Sequence, residues 1–211
     1  MARATPNAAT DAPRDAIALL KQDHRTVEKL FDEFEKADDD ELQSLAHRIC
    51  QLLTVHAQIE EELFYPQAKD ALEDDEESLE LVHEAAIEHQ SAKDLIAKIE
   101  GMTSDDEKFK ATVKVLAEYV KHHVKEEENE LFPETKKAGL DLKEIGTRLF
   151  ERKIQLMQEM GIPMEEAEEQ PTTRKRATGR SSRTTAAKSR QARTAASRKS
   201  ASRSNARTAR H

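Results

Sequence analysis

The feature that most constrains the fold of this 211-residue chain is a set of four stretches in which apolar residues recur at alternating spacings of three and four. Residues three or four apart lie on one side of an α-helix, so each stretch predicts a helix that buries one face. Four such helices with short connections favour an all-α fold, an antiparallel up-and-down four-helix bundle. The inward positions are Ile17, Leu20, His24, Val27, Phe31 and Phe34; Leu42, Leu45, Ile49, Leu52, His56, Glu60 and Leu63; Leu79, Val82, Ala86, His89, Ala92, Ile96 and Ile99; and Phe109, Val113, Leu116, Val120, His123, Glu127 and Leu131.

A fifth periodic segment runs from about Leu142 to Met160. Arg152 and Lys153 interrupt its apolar face. We expect an extra C-terminal helix that packs on the outside of the bundle or takes part in a dimer contact.

Proline and glycine mark the expected helix ends. Pro66 and Pro133 are predicted to end the second and fourth helices, because proline lacks the backbone N–H that a helix interior requires. Gly101 follows the third helix. Side-chain oxygens that can accept the free first-turn N–H groups precede the third and fourth helices. These candidate caps are Asp74 and Asp75, and Ser104 and Asp105.

The chain contains an internal repeat. The segment from Asp23 to Phe31 matches the one from Glu88 to Ile96 with a shift of 65 residues. The segments 56–66 and 123–133 match with a shift of 67. The first two helices therefore correspond to the third and fourth, and a duplicated helical hairpin predicts a bundle with pseudo-twofold symmetry.

Polar residues interrupt the apolar stripes at matching places. Each stripe contains one histidine, and the second and fourth add a glutamate four residues later, on the same face of the helix. Burying two carboxylates and four imidazoles unpaired would cost several kcal/mol per charge, roughly. Metal ions would neutralise the carboxylates and use the imidazole lone pairs. The predicted metal ligands are His24, His56, Glu60, His89, His123 and Glu127.

Other polar residues are weaker candidates. His122 and Glu126 share the same spacing but lie one position off the stripe, and His47 is also off its stripe. His83 is predicted to face another side of the third helix. Lys93 is the repeat counterpart of Glu28, which argues against Glu28 as a ligand. Tyr65 and Tyr119 can hydrogen-bond near the core, and a metal-free structure is possible only if the buried Glu and His residues pair among themselves.

These residues resemble the hemerythrin-like, HHE cation-binding domain, over about residues 14 to 160. Its pattern of His, HxxxE, His and HxxxE is matched by His24, by His56 with Glu60, by His89, and by His123 with Glu127. The resemblance implies two non-haem iron ions (Fe²⁺ or Fe³⁺), bridged by Glu60 and Glu127 and by an oxo or hydroxo group.

One departure from this pattern bears on function. Oxygen-carrying hemerythrins have a further histidine where this chain has Ala85. Fewer histidine ligands leave open coordination positions, which favours reaction with O₂, peroxide or NO, or iron sensing, in stress defence or iron homeostasis. The alternative is an iron- or oxygen-responsive regulatory module without turnover, so weak peroxide- or NO-consuming activity is left open.

The charge divides the chain into two parts. From Thr172 onward there are thirteen of the 34 Lys and Arg residues and none of the 42 acids, so this tail carries +13 and the rest −21. Residues 163–211 are predicted to be a linker and a disordered tail, and 1–13 a flexible N-terminus. Scattered cations favour sequence-independent binding of DNA or another polyanion. The alternative is docking of the tail on the acidic bundle.

The remaining composition bears on location. No apolar run approaches the roughly 20 residues needed to span a bilayer, and no secretory signal is visible. The single cysteine, Cys50, excludes an intrachain disulfide and fits a reducing compartment. We expect a cytoplasmic protein, located at the nucleoid if the tail binds DNA.

Overall fold

The computed structural model describes residues 15–163, and within this range the chain is helical with no β-strand. The predicted flexible segment 1–13 and the tail 172–211 lie outside the described residues, as does the linker from residue 164. No helix in the described range is both long and apolar enough to cross a membrane. The helices are α1 (Ala16–Lys36), α2 (Asp39–Ile59), α3 (Tyr65–Ala71), α4 (Glu76–Glu100), α5 (Phe109–Glu126), α6 (Phe132–Lys137) and α7 (Leu142–Glu159).

Two short π-helical segments change the predicted helix ends. The first, Glu60–Phe64, joins α2 to α3, and the second, Glu127–Leu131, joins α5 to α6. The prediction that Pro66 and Pro133 end their helices is therefore wrong. The backbone N–H of Tyr65 bonds to the carbonyl of Glu60, and that of Phe132 to the carbonyl of Glu127, five residues earlier. These wider turns admit the proline rings, which would clash in a regular α-helix.

The caps follow the predictions in part. The side chain of Asp75 accepts from the backbone N–H of Ser78 and starts α4, as predicted. The prediction that Ser104 or Asp105 caps the fourth helix is wrong, because α5 starts only at Phe109 and has no side-chain cap. Asp106 instead accepts from the backbone N–H of Thr103 and holds the preceding turn. The backbone N–H of Thr103 is therefore hydrogen-bonded in the turn that precedes α5.

The helices pack around one hydrophobic core. α1 contacts α2, and α4 contacts α5, so each half of the repeat forms a helical hairpin. Contacts of α2 with α4 and of α1 with α5 join the hairpins. Phe34, near the end of α1, lies against Phe109 at the start of α5, with ring centroids 6.1 Å apart. Gln43, near the start of α2, donates to the carbonyl oxygen of Met102, which follows α4.

The fifth predicted helix, α7, packs against α1 and α2. A Cβ atom on Gly146 would lie only 2.6 Å from the backbone nitrogen of Ala16 and 2.7 Å from the carbonyl carbon of Asp15. Gly146 therefore permits α7 to approach the backbone at the start of α1. The apolar face of α7 joins the core through Ile145, Leu149, Leu156 and Met157.

Candidate metal centre

The structure brings the six predicted ligand residues together inside the helical core. Their exposed fractions range from 0% to 7%, in a core that is otherwise almost entirely apolar. Each glutamate is the first residue of a π segment, so the widened turn begins where the side chain enters the site. π-helical turns inside α-helices are frequently found at functional sites. The six residues are His24, His56, Glu60, His89, His123 and Glu127.

The four histidines form two pairs. Nε2 of His24 lies 3.1 Å from Nε2 of His56, and Nε2 of His89 lies 3.2 Å from Nε2 of His123. Each pair combines the two helices of one repeat half, α1 with α2 and α4 with α5. The Nε2 atoms of a pair are close enough to share one metal ion, so the site has two candidate metal positions.

Each glutamate lies between the two histidine pairs. Oε2 of Glu60 is 3.1 Å from Nε2 of His56 and 3.4 Å from Nε2 of His89. Oε2 of Glu127 is 3.3 Å from Nε2 of His24 and 3.8 Å from Nε2 of His123. Both carboxylates are therefore placed to contact ions at both positions.

The ionisation of these residues is strongly perturbed. Burial, together with the charge of Glu127, raises the pKa of Glu60 well above 4.5. Burial also disfavours ionised Glu127, but the neighbouring His24 and His123 outweigh it and lower its pKa to about 2. Burial opposes the charged form of His24, yet the Glu127 and Glu60 carboxylates raise its pKa to about 9. Burial thus favours the neutral form of Glu60, while the paired charges of His24 and Glu127 stabilise each other.

Unpartnered atoms indicate a missing positive charge. Neither oxygen of Glu60 has a hydrogen-bond partner among the described residues, and the same holds for Oε2 of Glu127. Burying such acceptors without a partner costs on the order of 1–3 kcal/mol each. The donor set of carboxylate oxygens and imidazole nitrogens suits first-row transition metals. The residues present therefore fit a metal centre.

A second layer of carboxylates surrounds the histidines. In metal sites such partners hold the Nδ1 proton and leave the Nε2 lone pair free for the metal. In three of the four histidines an acid oxygen lies within hydrogen-bond distance of Nδ1, and in the fourth the distance is longer. The Nδ1–oxygen pairs are His24 with Glu128 (2.9 Å), His56 with Asp23 (3.6 Å), His89 with Glu61 (3.1 Å) and His123 with Glu88 (2.9 Å).

A family described as the hemerythrin HHE cation binding domain matches residues 15–135, which is more than half of the chain. The chain belongs to the hemerythrin HHE cation-binding family. The match ends before α7, so the fifth helix lies outside the matched HHE domain.

Two individual proteins are similar to this HHE protein. The crystal structure of a hemerythrin HHE cation binding domain-containing protein from Mycobacterium kansasii has a TM-score of 0.59 and 19% identity, over 72% of this chain and 97% of that one. At this identity the similarity concerns the fold. A DNA nickase from Nostoc sp. is 30% identical over 115 residues, or 54% of this chain and 31% of that protein. The chain thus spans about a third of the length of this relative.

The second-layer acids of this HHE protein were missed by the sequence reasoning, although the repeat contained a signal. Asp23 and Glu88 each precede a stripe histidine, and Glu61 and Glu128 each follow a stripe glutamate. The four acids are thus two pairs of repeat counterparts. Glu61 supports His89 of the other half, and Glu128 supports His24, so the two halves interlock.

Lysine side chains lie behind three of these acids, and a histidine lies behind the fourth. The pairs are Asp23 with Lys153, Glu61 with Lys93, Glu128 with Lys21 and Glu88 with His122. Hydrogen bonding to His89 and Lys93 lowers the pKa of Glu61 to about 2. For Asp23, burial opposes ionisation, but the Lys153 charge lowers its pKa below 3.8. The lowered pKa values favour the anionic form of all four acids, and Glu128, Glu61 and Glu88 are within hydrogen-bond distance of a histidine Nδ1.

Tyr65 also reaches the site. Its hydroxyl donates to Oε1 of Glu127 at 3.2 Å and lies 3.2 Å from Nε2 of His89. Burial and the Glu127 and Glu60 charges raise its pKa, so the phenol stays protonated. Its repeat counterpart, Phe132, has no hydroxyl and lies parallel to the His24 ring at 6.1 Å. The two candidate metal positions thus have different surroundings.

The remaining sequence candidates lie elsewhere. His47, His83 and Glu28 are exposed, and Tyr119 is 47% exposed. His122 and Glu126 belong with Glu88 to a separate, partly exposed group. Cys50 is fully buried, and burial raises its thiol pKa to about 12, which opposes a role as nucleophile.

Proposed function

We propose that this protein holds two non-haem iron ions and uses them to bind or react with a small oxidant such as O₂, peroxide or NO. His24 and His56 would hold one ion, and His89 and His123 the other. Glu60 and Glu127 would bridge them, with an oxo or hydroxo group completing the bridge. Bound there, redox-active iron would supply or accept electrons for the small ligand.

The observation that carries the proposal is the position of the two buried carboxylates. Each lies within 3.8 Å of a histidine from both pairs, and together they present three oxygens without a hydrogen-bond partner within residues 15–163. A single metal ion would leave one histidine pair unused. Two ions explain the symmetry of the set, because the repeat supplies one histidine pair per ion.

A cavity beside the histidines supports a small, weakly polar ligand. His56, His89 and His123 line it, and the rest of its wall is mostly apolar. Such a wall admits O₂ or NO and excludes large polar substrates. Tyr119, Glu88 and Lys93 supply its polar wall, and the Tyr65 hydroxyl contacts His89 of the same site. The apolar lining residues are Leu53, Ala57, Ala92, Ile96 and Val120.

The alternative within the same site is a regulatory module. In that case iron occupancy or oxidation state would alter the packing of the helices and the protein's partners without turnover. Steady consumption of peroxide by the iron-loaded protein would favour an enzyme, whereas a single stoichiometric reaction would favour the module.

The contacts at the helix ends support a further structural proposal. α1 ends where α5 begins, and α4 ends where α2 begins. We propose that α1, α2–α3, α4 and α5–α6 form an antiparallel up-and-down four-helix bundle. Such a bundle would bring the two repeat halves into pseudo-twofold symmetry about the centre.

Metal analysis tests the iron proposal. Wild-type protein loaded anaerobically with iron and then exposed to air should contain about two irons per chain and show oxo-to-iron charge-transfer absorption. Glu60→Ala/Glu127→Ala should lose both, while Glu130→Gln, an exposed glutamate one turn later, should retain them. Loading should also release protons, because imidazole and carboxyl ligands must be deprotonated to bind a metal ion. Wild-type protein without bound iron would contradict the proposal.

The basic tail supports a second function, binding of nucleic acid without sequence preference. Residues 172–211 carry +13 and no acids, and the similar protein from Nostoc sp. is a DNA nickase. Binding of the tail to DNA would place the iron site at the nucleoid of a cytoplasmic protein. The competing proposal is that the tail docks on the acidic remainder of the chain.

Mobility shifts separate these proposals. Full-length protein should retard duplexes of unrelated sequence equally, with affinity that falls steeply as salt increases. Deletion of residues 172–211 should abolish the shift. An unchanged shift after this deletion would eliminate DNA binding by the tail.

A further inference from the structure

A third group of potential metal ligands lies on the surface beside the candidate metal centre. Glu88, His122 and Glu126 each offer one ligand atom within 4.8 Å of the others. Nδ1 of His122 is 3.1 Å from Oε1 of Glu88, and its Nε2 is 3.4 Å from Oε1 of Glu126. The imidazole is 61% exposed, whereas both carboxylates are partly buried. We call these three residues the outer cluster.

A small cavity lies between the two carboxylates of the outer cluster and the candidate metal centre. Glu88 and Glu126 line it, and so do His123 and Glu127 of the centre. Glu127 is 2% exposed, and its Oε2 has no hydrogen-bond partner among the described residues. The cavity therefore has solvent-accessible ligands at one end and a buried, unpartnered carboxylate at the other.

The other half of the repeat lacks this arrangement. The counterparts of His122 and Glu126 are Val55 and Ile59, which are buried. Ala85, which lines the cavity, corresponds to the larger Leu20, which is fully buried. The outer cluster is thus a departure from the repeat and is not required for the symmetric ligand set.

We propose that the outer cluster captures a hydrated divalent iron ion and passes it through the cavity to Glu127 and His123. This inference rests on the proposed function, because the delivered ion must have a buried centre to occupy. A bare ion cannot cross an apolar core, since losing its water shell is too costly. Carboxylates and imidazoles along the way replace the lost water ligands one by one.

The charge of the chain supports the capture step. The segment 1–171 carries −21, which raises the concentration of cations near its surface. Glu88 has a special position, because one oxygen faces His122 and the other accepts from Nδ1 of His123. It therefore links the outer cluster to a ligand of the centre through one side chain.

The competing explanation is an ordinary set of surface ion pairs. Exposed pairs such as His122 with Glu126 contribute about 0–1 kcal/mol and need no function. The two explanations differ in a measurable way. Ion pairs alone predict no weak metal site and no effect on the rate of iron loading.

Full-length, metal-free protein is the material for the test. Cobalt(II) binding under anaerobic conditions, followed by absorption and calorimetry, should reveal one weak site per chain besides the two tight ones. His122→Ala/Glu126→Gln should lose the weak site alone. Iron(II) loading, followed as iron that becomes inaccessible to a ferrous chelator, should slow by about tenfold in this variant, with unchanged final occupancy. His47→Ala, which removes an exposed histidine of α2, should match wild type in both measurements.

The possible outcomes bear on different parts of the proposal. Equal cobalt stoichiometry in wild type and His122→Ala/Glu126→Gln would overturn the outer site. Loss of the weak site with a loading rate within about twofold of wild type would overturn delivery. A wild-type chain that lacks the two tight sites would contradict the proposed function and the delivery step together. In contrast, if wild type has the two tight sites but the variant loads iron at the same rate, delivery is overturned and the proposed iron centre is not.

Discussion

The two halves of the internal repeat supply equivalent groups to the centre but have different surroundings. In the first half α7 packs over α1 and α2, and its Lys153 contacts Asp23 where the two side chains are only 12% and 9% exposed. In the second half the counterpart of Asp23 is Glu88, whose partner His122 is 61% exposed. One of these two acids is therefore covered by an additional helix, while its counterpart pairs with an exposed side chain.

This difference separates the groups that recur in both halves of the repeat from those that occur in one half. The histidines, the glutamates and the acids behind them recur in both halves, because each candidate metal position needs the same donors. The outer residues do not recur. Lys153, Tyr65 and the outer cluster each occur beside one half only among the described residues, so the two candidate metal positions have different surroundings.

The largest effect is expected from Lys153→Met. Removing this cation leaves the Asp23 carboxylate buried without its charge partner, so the free energy of unfolding of metal-free protein should fall by about 3 kcal/mol. The matching change in the other half, His122→Ala, should lower it by well under about 1 kcal/mol, because that pair is exposed. Denaturant unfolding measures both changes. Equal losses would show that the buried pair contributes no more stability than the exposed one.

The same pair predicts a pH dependence. In wild type the pKa of Asp23 lies below its ordinary value of 3.8, so its contribution is full above that pH and is lost as the pH falls through the folded pKa. In Lys153→Met burial acts without the Lys153 charge and should raise this pKa above 3.8. The difference in unfolding free energy between variant and wild type should therefore be larger at pH 7 than at pH 4. A constant difference would rule out the Asp23 carboxylate as its source.

Gly146→Ala tests whether α7 must lie close to α1. The added Cβ would lie 2.6 Å from the backbone nitrogen of Ala16, which cannot move away without shifting the helix. A loss of about 2 kcal/mol is expected. Gly101→Ala is the matched control, because its Cβ would lie 3.6 Å from the nearest atoms. A thermal midpoint for Gly146→Ala equal to that of the control would show that the approach of α7 is dispensable.

Tyr65→Phe addresses the asymmetry inside the site. The change removes the hydroxyl that donates to Oε1 of Glu127 and makes this position resemble Phe132 in the other half. Metal-free protein should lose about 1 kcal/mol of stability at pH 7. Tyr119→Phe, at a 47% exposed position, should change little. Unaltered stability of Tyr65→Phe would mean that the hydroxyl contributes nothing to the metal-free fold.

The smallest effect is expected from Arg152→Gln. Arg152 also lies on α7 and bonds to Glu62, but this pair is solvent-exposed. The repeat counterpart of Glu62 is Asn129, which carries no charge and cannot form such an ion pair. The variant should unfold at the same denaturant midpoint as wild type in high salt and slightly earlier in low salt. A loss of stability as large as that of Lys153→Met would mean that an exposed ion pair of α7 contributes as much as its buried cation.

Much of the fold could be predicted from periodicity alone. The apolar stripes indicated the long helices, and the bundle's all-helical character is confirmed. The sequence also indicated which histidines and glutamates share a buried stripe, although their role as ligands stays a prediction. The ends at Pro66 and Pro133 were predicted wrongly, because a π-helical turn accommodates a proline by changing hydrogen bonds upstream of it.

Other features lay beyond sequence reasoning for a physical reason. Asp23, Glu61, Glu88 and Glu128 lie one position off the stripes, where a charged residue normally faces solvent. Their role depends on partners far away in sequence, such as Glu128 beside His24, 104 residues apart. Helical periodicity reports which face of one helix is buried, and it contains no information on which neighbouring helix lies opposite.

The sequence by itself therefore determined the helices, the repeat and the set of donor groups, because these follow from local spacing and residue chemistry. Only the tertiary structure decided that each carboxylate lies between two histidine pairs, that Tyr65 reaches the site, and that α7 covers Asp23 while its counterpart Glu88 pairs with the exposed His122. Those features depend on distances between separate helices. Packing sets these distances, since the close approach at Gly146 and the burial of Lys153 exist only once α7 has docked.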